Sequence, residues 1–165
     1  MKRERKIRKL FSVCLTLGLI MGMSLVAKVE CQASSTKAVI DGSNLLHTEE
    51  SVGYATGKTR GEDLMTGYSK IVRLGPGKIY AGGTTIAAHT VNEVGVAVTV
   101  ERAQEGDDHW TIYDGWQKFN ENTDRVASNR TLDVEGGYYY RVRCTHSAND
   151  DVSSSFTDGV FIEEP

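Results

Sequence analysis

The sequence predicts an all-β protein, a single antiparallel β-sandwich of about seven strands. From residue 67 onward, short apolar runs and alternating apolar and polar residues are separated by turn residues. That pattern is typical of strands that bury one face. No segment carries an apolar stripe of useful length at helical spacing. Several short strands joined by turns indicate a sandwich.

The first 33 residues predict an export signal. A basic stretch up to Lys9 precedes an 18-residue apolar run from Leu10 to Ala27, and small side chains lie at the cleavage positions before residue 34. We therefore expect a secreted protein, cut after Ala33 or Ala27. The alternative is a membrane anchor that stays uncleaved, since the apolar run approaches the length that spans a bilayer.

Cleavage after Ala33 would change the charge and the cysteine content. Of the 19 Lys and Arg residues seven would leave, and of the 22 acidic residues two, so the remainder has 12 basic and 20 acidic residues and a net charge of −8. That balance argues against binding to nucleic acid or to an anionic membrane surface. Cys144 would be the single remaining cysteine, which predicts a small buried side chain with no intramolecular disulfide.

Residues 34–66 predict a flexible polar arm, because strongly apolar residues are sparse there and Ser, Thr, Gly and charged residues dominate. The sandwich domain is then expected over 67–165. Within it, Gly75-Pro76-Gly77 predicts a turn, and four alternating valines from Val94 to Val100 predict a strand with one apolar face. The predicted extended segments are 69–74, 78–89, 94–101, 109–119, 125–134, 138–146 and 153–162.

The segment before Cys144 resembles a known corner. Leu132 lies six residues before Tyr138, with paired glycines between them. Immunoglobulin-like and fibronectin type III domains have such a corner before the penultimate strand, where a Tyr hydroxyl bonds back to the chain. The resemblance implies sandwich architecture and carries no function.

Three runs, at 75–85, 90–96 and 136–143, together resemble a family of small secreted proteins from Gram-positive bacteria. They read GPGKIYAGGTT, TVNEVGV and GGYYYRVR. That family is classed as a domain of unknown function. The resemblance implies export from a Gram-positive bacterium and a single β domain, and it supplies no catalytic or binding residues.

Aromatic residues on the predicted strands suggest a binding surface. Alternation places Trp110 and Trp116 in the core. The residues expected to be exposed and to bind are Tyr113, Tyr139, Arg141 and Arg143. Such a face would stack on and hydrogen-bond a cell-surface glycan, or contact a surface protein. The alternative is an ordinary solvated sheet face.

The sequence predicts no metal, cofactor or catalytic residue. The acidic turns at 107–109 and 149–151 lack the regular spacing of a calcium loop. Cys144 and His146 would lie about 7 Å apart on one strand face, too far apart for a nucleophile and its base. We therefore expect a non-catalytic binding module. The alternative is a small secreted hydrolase acting on wall polymer or peptide.

Overall fold

The computed structural model describes residues 38–56 and 61–165, so the predicted signal and residues 34–37 and 57–60 of the predicted arm lie outside the described residues. Within those ranges the chain is all-β, as predicted, and contains no helix. The strands are β1 (Val39–Ile40), β2 (Ser43–Leu46), β3 (Glu50–Tyr54), β4 (Leu64–Gly75), β5 (Lys78–Ala103), β6 (Thr111–Asp133), β7 (Tyr138–Ala148), β8 (Asp151–Phe156) and β9 (Gly159–Ile162).

All nine strands belong to one mixed sheet that curls into half of a barrel. The path through the sheet runs β1-β2-β9-β7-β5-β4-β3, with β6 paired to β5 and β8 paired to β7. The prediction of purely antiparallel strands is wrong, because β2 lies parallel to β9 through Leu45 and Gly159. A parallel pair needs a crossover connection, and the long stretch of chain between Leu46 and Gly159 supplies it.

The two longest strands, β5 and β6, explain the curl. They pair antiparallel along almost their whole length, but between Ile86 and Val91 four residues of β5 oppose Asp124 of β6 alone. Extra residues on one strand bend the ladder. The first half of β5 pairs with β4 and its second half with β7, so the bend brings β4 opposite β7 and β8. The sequence predicts two separate strands, 78–89 and 94–101, where the structure has β5. It likewise predicts two strands, 109–119 and 125–134, where the structure has β6.

The main core lies on the concave side of the curled sheet. The alternating valines from Val94 to Val100 are at most 1% exposed, which confirms the predicted apolar face. Two glycines permit close approach across the core. A Cβ atom at Gly83 would overlap the Cys144 Sγ atom, and one at Gly67 would overlap the imidazole ring of His146. The absence of these side chains lets β4 and β5 pack directly on β7.

The first two strands form a tight hairpin where the sequence predicted a flexible arm. Asp41 and Gly42 make the two-residue turn, with φ angles of 44° and 77°. Two successive positive φ angles are the requirement of a type I′ hairpin turn, which favours Asp-Gly. The Asp-Gly pair at 41–42 therefore favours a hairpin of β1 and β2, although these strands contain few apolar residues.

Packing gives the hairpin its place on the convex side of the sheet. Its buried residues join a second, smaller apolar cluster, composed of Ile40, Leu45, Ala103, Trp110 and Tyr139. The burial of Trp110 confirms its predicted core position, and Trp116 packs partly buried against the main core. β3 also lies in the stretch predicted as an arm, and it pairs with β4 along five residues. Residues 38–54 therefore form strands where the sequence predicts an arm. Two buried apolar residues, Ile40 and Leu45, hold the hairpin in place because they pack against an existing apolar cluster.

The chain turns before β5 and again before β7, and the first of these turns matches its prediction. Pro76 and Gly77 connect β4 to β5, and Gly77 has the positive φ of 63° that a turn glycine supplies. Before β7, the Tyr140 hydroxyl donates a hydrogen bond to the Glu135 carbonyl at 2.8 Å. A back-bond of the expected kind is therefore present, made by Tyr140 and not by Tyr138. Burial raises the pKa of Tyr140 to about 12.

Cys144 provides a test of the core assignment. Its side chain is fully buried, and burial raises the pKa of the thiol to about 12. Because the thiolate is the reactive species, a maleimide should leave Cys144 unmodified in the native protein and modify it quickly in urea. Peptide mapping by mass spectrometry assigns the label. Rapid labelling of Cys144 without denaturant would contradict the packing of β7 against Gly83.

Candidate functional site

The structure separates the four residues predicted to bind. Tyr139, Arg141 and Arg143 alternate on the convex side of β7, whereas Tyr113 on β6 packs against the main core. The Tyr113 ring meets Tyr140 edge-on at a centroid distance of 5.5 Å, and its hydroxyl donates to the Asp133 carbonyl at 3.2 Å. Tyr113 is therefore not part of the surface formed by the other three.

Arg141 is fully buried, so its predicted exposure is wrong. Its Nε atom donates to Glu101 Oε2 at 2.6 Å, and its Nη1 atom donates to the Asp41 carbonyl at 3.0 Å and to Ser43 Oγ at 2.9 Å. The guanidinium also lies over the Trp110 ring, 4.6 Å from its centroid. Alternation placed Arg141 on the correct face, but the β1–β2 hairpin and Trp110 cover that face.

The Asp41 carboxylate links Arg141 to Arg143. Its Oδ2 atom accepts hydrogen bonds from Arg141 Nη2 at 2.8 Å and from Arg143 Nη2 at 3.0 Å. The hydrogen bond from Arg141 and the charge of that guanidinium hold the pKa of Asp41 below its usual range. With Glu101, two carboxylates balance two guanidinium groups. These arginines fasten the hairpin to β7, and Arg141 is not available to an anionic ligand.

Tyr139 is also buried, at 6% exposure, so its predicted exposure is wrong as well. Its hydroxyl hydrogen-bonds to Nε2 of His47 at 3.1 Å, and its ring packs against Phe161 at a centroid distance of 5.1 Å. Burial raises the pKa of Tyr139. Of the predicted set on β7, only the side chain of Arg143 remains substantially exposed, at 44%.

A serine and a histidine lie within hydrogen-bonding distance inside the core. His146 Nε2 is 2.8 Å from Ser155 Oγ, and His146 Nδ1 is 2.9 Å from Thr85 Oγ1. Because the Thr85 hydroxyl donates to the Gly95 carbonyl, it accepts from Nδ1–H, and Nε2 accepts from Ser155. That is the tautomer of a general base beside a nucleophile.

Burial prevents this trio from acting on a substrate. Ser155 is 1% exposed, and His146 and Thr85 are fully buried. Burial also lowers the pKa of His146 to about 4, so the imidazole is neutral at physiological pH. The hydrogen bonds satisfy polar groups that the curled sheet encloses, and we assign the trio a structural role.

An exposed aromatic surface lies on the convex side of β3, β4 and the first half of β5. The strand register places Tyr54 beside Tyr68, with ring centroids 6.1 Å apart, and Val72 beside Tyr80. Tyr54 is 66% exposed. We call this surface the tyrosine face, and it consists of Glu50, Val52, Tyr54, Tyr68, Lys70, Val72 and Tyr80.

A charged pair lies among these aromatic rings. The Lys70 ammonium is 2.8 Å from Glu50 Oε2, and its hydrogen bond to Glu50 raises the pKa of Lys70. A shallow depression of about 330 Å³ is lined by Lys70, Val72, Leu74 and Tyr80. Gly82 is paired with Lys70, and Asn129 of β6 lies closely against it. The face therefore offers ring surfaces, a hydrogen-bond donor and an acceptor on neighbouring strands, beside one shallow depression.

Sequence reasoning missed the tyrosine face because three of its seven residues lie in the predicted arm, 34–66. Val52 and Tyr54 alternate with Ser and Gly on β3, and Tyr68, Lys70 and Val72 alternate with the buried residues Ser69 and Ile71 on β4. This period of two was present in the sequence and was the signal that could have found the face. What the pattern did not contain was the register that brings β3 beside β4.

Residues 38–56 and 61–165 contain neither a group of metal ligands nor a membrane-spanning helix. No group of three or more His, Cys, Asp or Glu residues in those ranges is placed to hold a metal ion. No helix in those ranges is long and apolar enough to cross a membrane. In comparisons with known proteins, no protein-family model, no curated protein and no solved structure matches this chain.

We call Arg141, Arg143, Asp41, Ser43 and Glu101 the Arg141 cluster, and this cluster yields a prediction about stability. Replacing Arg141 with Met leaves the Glu101 carboxylate buried without its main partner, and we expect the free energy of unfolding to fall by about 3–5 kcal/mol. Arg143→Met is the matched control, because its side chain is largely exposed and its loss should cost less than about 1 kcal/mol. Urea denaturation at pH 7 measures both. Equal losses in the two variants would contradict the buried cluster.

His146 yields a prediction about pH. The unfolded chain binds a proton at the ordinary histidine pKa near 6.5, whereas the folded protein resists protonation until about pH 4. The free energy of unfolding should therefore decrease as pH falls from 6.5 to 4, by up to about 3 kcal/mol from this group. Urea denaturation across that range should show a weaker dependence in His146→Asn. The exposed control His109→Asn should retain the full dependence, and a slope unaffected by His146→Asn would refute the assignment.

Proposed function

We propose that this protein is an exported, non-catalytic binding module that holds a glycan on its tyrosine face. The observation that carries the proposal is a set of tyrosine rings on neighbouring strands around the Lys70–Glu50 pair, of which Tyr54 is exposed and Tyr68 and Tyr80 are half-buried. Large exposed apolar surfaces on single domains mark interaction sites. Export rests on the N-terminal sequence pattern, and the resemblance to secreted Gram-positive proteins agrees with it.

The chemistry of the face suits a sugar. The faces of aromatic rings carry negative potential and attract the polarised C–H groups of a sugar ring. Sugar hydroxyls both donate and accept hydrogen bonds, so they match the ammonium of Lys70 and the carboxylate of Glu50. Tyrosines held on strands lose little conformational freedom on binding, because only two side-chain torsions need to be fixed. A shallow groove on a sheet also accommodates a polymer that continues past the site.

The proposed binding surface differs from the surface on β7 that the sequence predicts. Tyr139 and Arg141 are buried under the β1–β2 hairpin, so the surface on β7 lacks its two central members. The tyrosine face keeps the type of interaction that the sequence suggested, aromatic stacking beside charged groups, and places it on β3, β4 and β5. A surface protein is the other candidate ligand, because tyrosine is also enriched at protein interfaces.

The architecture is also part of the proposal. We propose that the halves of the curled sheet act as the layers of a β-sandwich related in form to immunoglobulin and fibronectin type III domains. The bond from Tyr140 to the Glu135 carbonyl supports this, since it has the form of their tyrosine corner. The alternative function, a small hydrolase, gains no support from the Ser155–His146 pair, which is buried.

Glycan binding gives a direct test. Tyr54→Ala combined with Tyr68→Ala removes one exposed and one half-buried stacking surface, so binding should weaken at least about tenfold while folding persists. An array of purified wall polysaccharides and oligosaccharides identifies the ligand, and titration calorimetry measures its affinity. Val152→Ala, an exposed apolar change on β8, is the control and should bind normally.

Two results would overturn the proposal. If the wild-type protein binds no glycan on the array, the assigned ligand class is wrong. If it binds one and the double variant retains full affinity with an unchanged unfolding midpoint, the assigned face is wrong.

A further inference from the structure

The outer edge of β6 has no neighbouring strand among the described residues. β6 pairs with β5 along one edge only, and it is 23 residues long. An unpaired edge presents N–H and C=O groups that can pair with another chain. Proteins usually cover or interrupt such an edge, so a long open edge needs an explanation.

Side chains cover the second half of this edge. The hydroxyl of Tyr113 donates to the Asp133 carbonyl, Lys118 Nζ donates to the Ala127 carbonyl at 3.3 Å, and Asn120 Nδ2 donates to the Arg125 carbonyl at 3.2 Å. The donors come from the first half of β6 and the acceptors from the second half. The second half is therefore supplied with partners by the protein itself.

The first half, residues 111–121, is less protected. Within the described residues, its backbone has one hydrogen bond to a side chain, from the Gly115 N–H to the carboxylate of the preceding Asp114 at 2.7 Å. Ile112 is 70% exposed and Phe119 is 46% exposed, so apolar side chains lie on both sides of Gly115. This half has the character of an interface more than of a blocked edge.

The sequence of this half complements itself when it runs antiparallel to a second copy. With Trp116 opposite Trp116, Asp114 lies opposite Lys118 and Gly115 lies opposite Gln117. Opposite charges that face each other across strands are stabilising. A twofold axis repeats the charged pair, so two ion pairs form between the copies, in addition to the Arg130–Asp114 pair at 4.0 Å within each copy.

Other registers lose this match. If the axis moves by one residue to Gly115, Lys118 lies opposite Ile112, and if it moves to Gln117, Lys118 lies opposite Trp116. The axis at Trp116 is the register in which Asp114 lies opposite Lys118. A twofold contact uses the same patch on both partners, which is the commonest form of oligomer interface.

We infer that a second copy of this chain docks on the first half of β6, antiparallel and with its twofold axis at Trp116. The occupant is assigned by the charge complementarity of Asp114 and Lys118 and by the lack of side-chain cover on this half of the edge. The inference is independent of the glycan proposal, because the tyrosine face lies on other strands.

Charge reversal tests the inference in the secreted protein. Sedimentation velocity over a range of concentrations should show a dimer. Asp114→Lys and Lys118→Asp alone each place like charges opposite one another in two pairs, so each should weaken dimerisation about tenfold or more. The double variant Asp114→Lys/Lys118→Asp restores opposite charges and should restore the dimer. Lys78→Asp, on β5, is the control and should leave the dimer unchanged.

The outcomes are distinct. A wild-type protein that stays monomeric at all concentrations overturns the inference. The inference is also overturned if neither single charge reversal weakens the dimer, or if the double variant does not restore it. Either result would assign dimerisation to another surface. Unfolding midpoints of all variants show whether each is folded, and hydrogen exchange at Gly115 and Gln117 should slow as concentration rises.

Discussion

The bend of β5 is the constraint on which the rest of the structure depends. A single 26-residue strand lines both sides of the core, because four residues near its middle oppose one residue of β6. The bend places β4 against β7, and close packing at Gly67 and Gly83 follows from it. The tyrosine face lies on the outside of the first half of β5, and the Arg141 cluster lies on the outside of the second. β6 follows β5 around the curl, and its outer edge has no neighbouring strand within the part of the chain that the structure describes.

Polar groups inside the protein fix this arrangement more specifically than apolar packing does. The His146 imidazole joins β7 to β5 and β8 through Thr85 and Ser155. On the other side of the sheet, Arg141 joins β7 to the N-terminal hairpin through Asp41 and Ser43. Buried polar groups are tolerated only when their hydrogen bonds are made, so each group favours one packing of the strands. Neither group faces solvent, which directs the search for a binding surface to the exposed tyrosines.

The sequence was most informative where the deciding interactions are local. Alternation from Val94 to Val100, the turn at Pro76 and the burial of Cys144 all follow from patterns within a few residues. The exposure of Arg141 could not be predicted, because it depends on Asp41, which lies 100 residues earlier in the chain. Two predicted strands join into β5 through a register shift between Ile86 and Val91. The alternation of apolar and polar residues along the sequence does not reveal such a shift. The tyrosine face required both β3, which was predicted as part of an arm, and the register of its pairing.

The curl is tested most directly by nuclear Overhauser effects in the native protein. Our account predicts strong contacts between the Gly67 α-protons and the His146 ring, and between the Gly83 α-protons and the Cys144 β-protons, because a Cβ atom at either glycine would overlap those side chains. Their absence, in a protein whose β5–β6 pairing is otherwise observed, would mean that the sheet does not close over its core and would contradict the account.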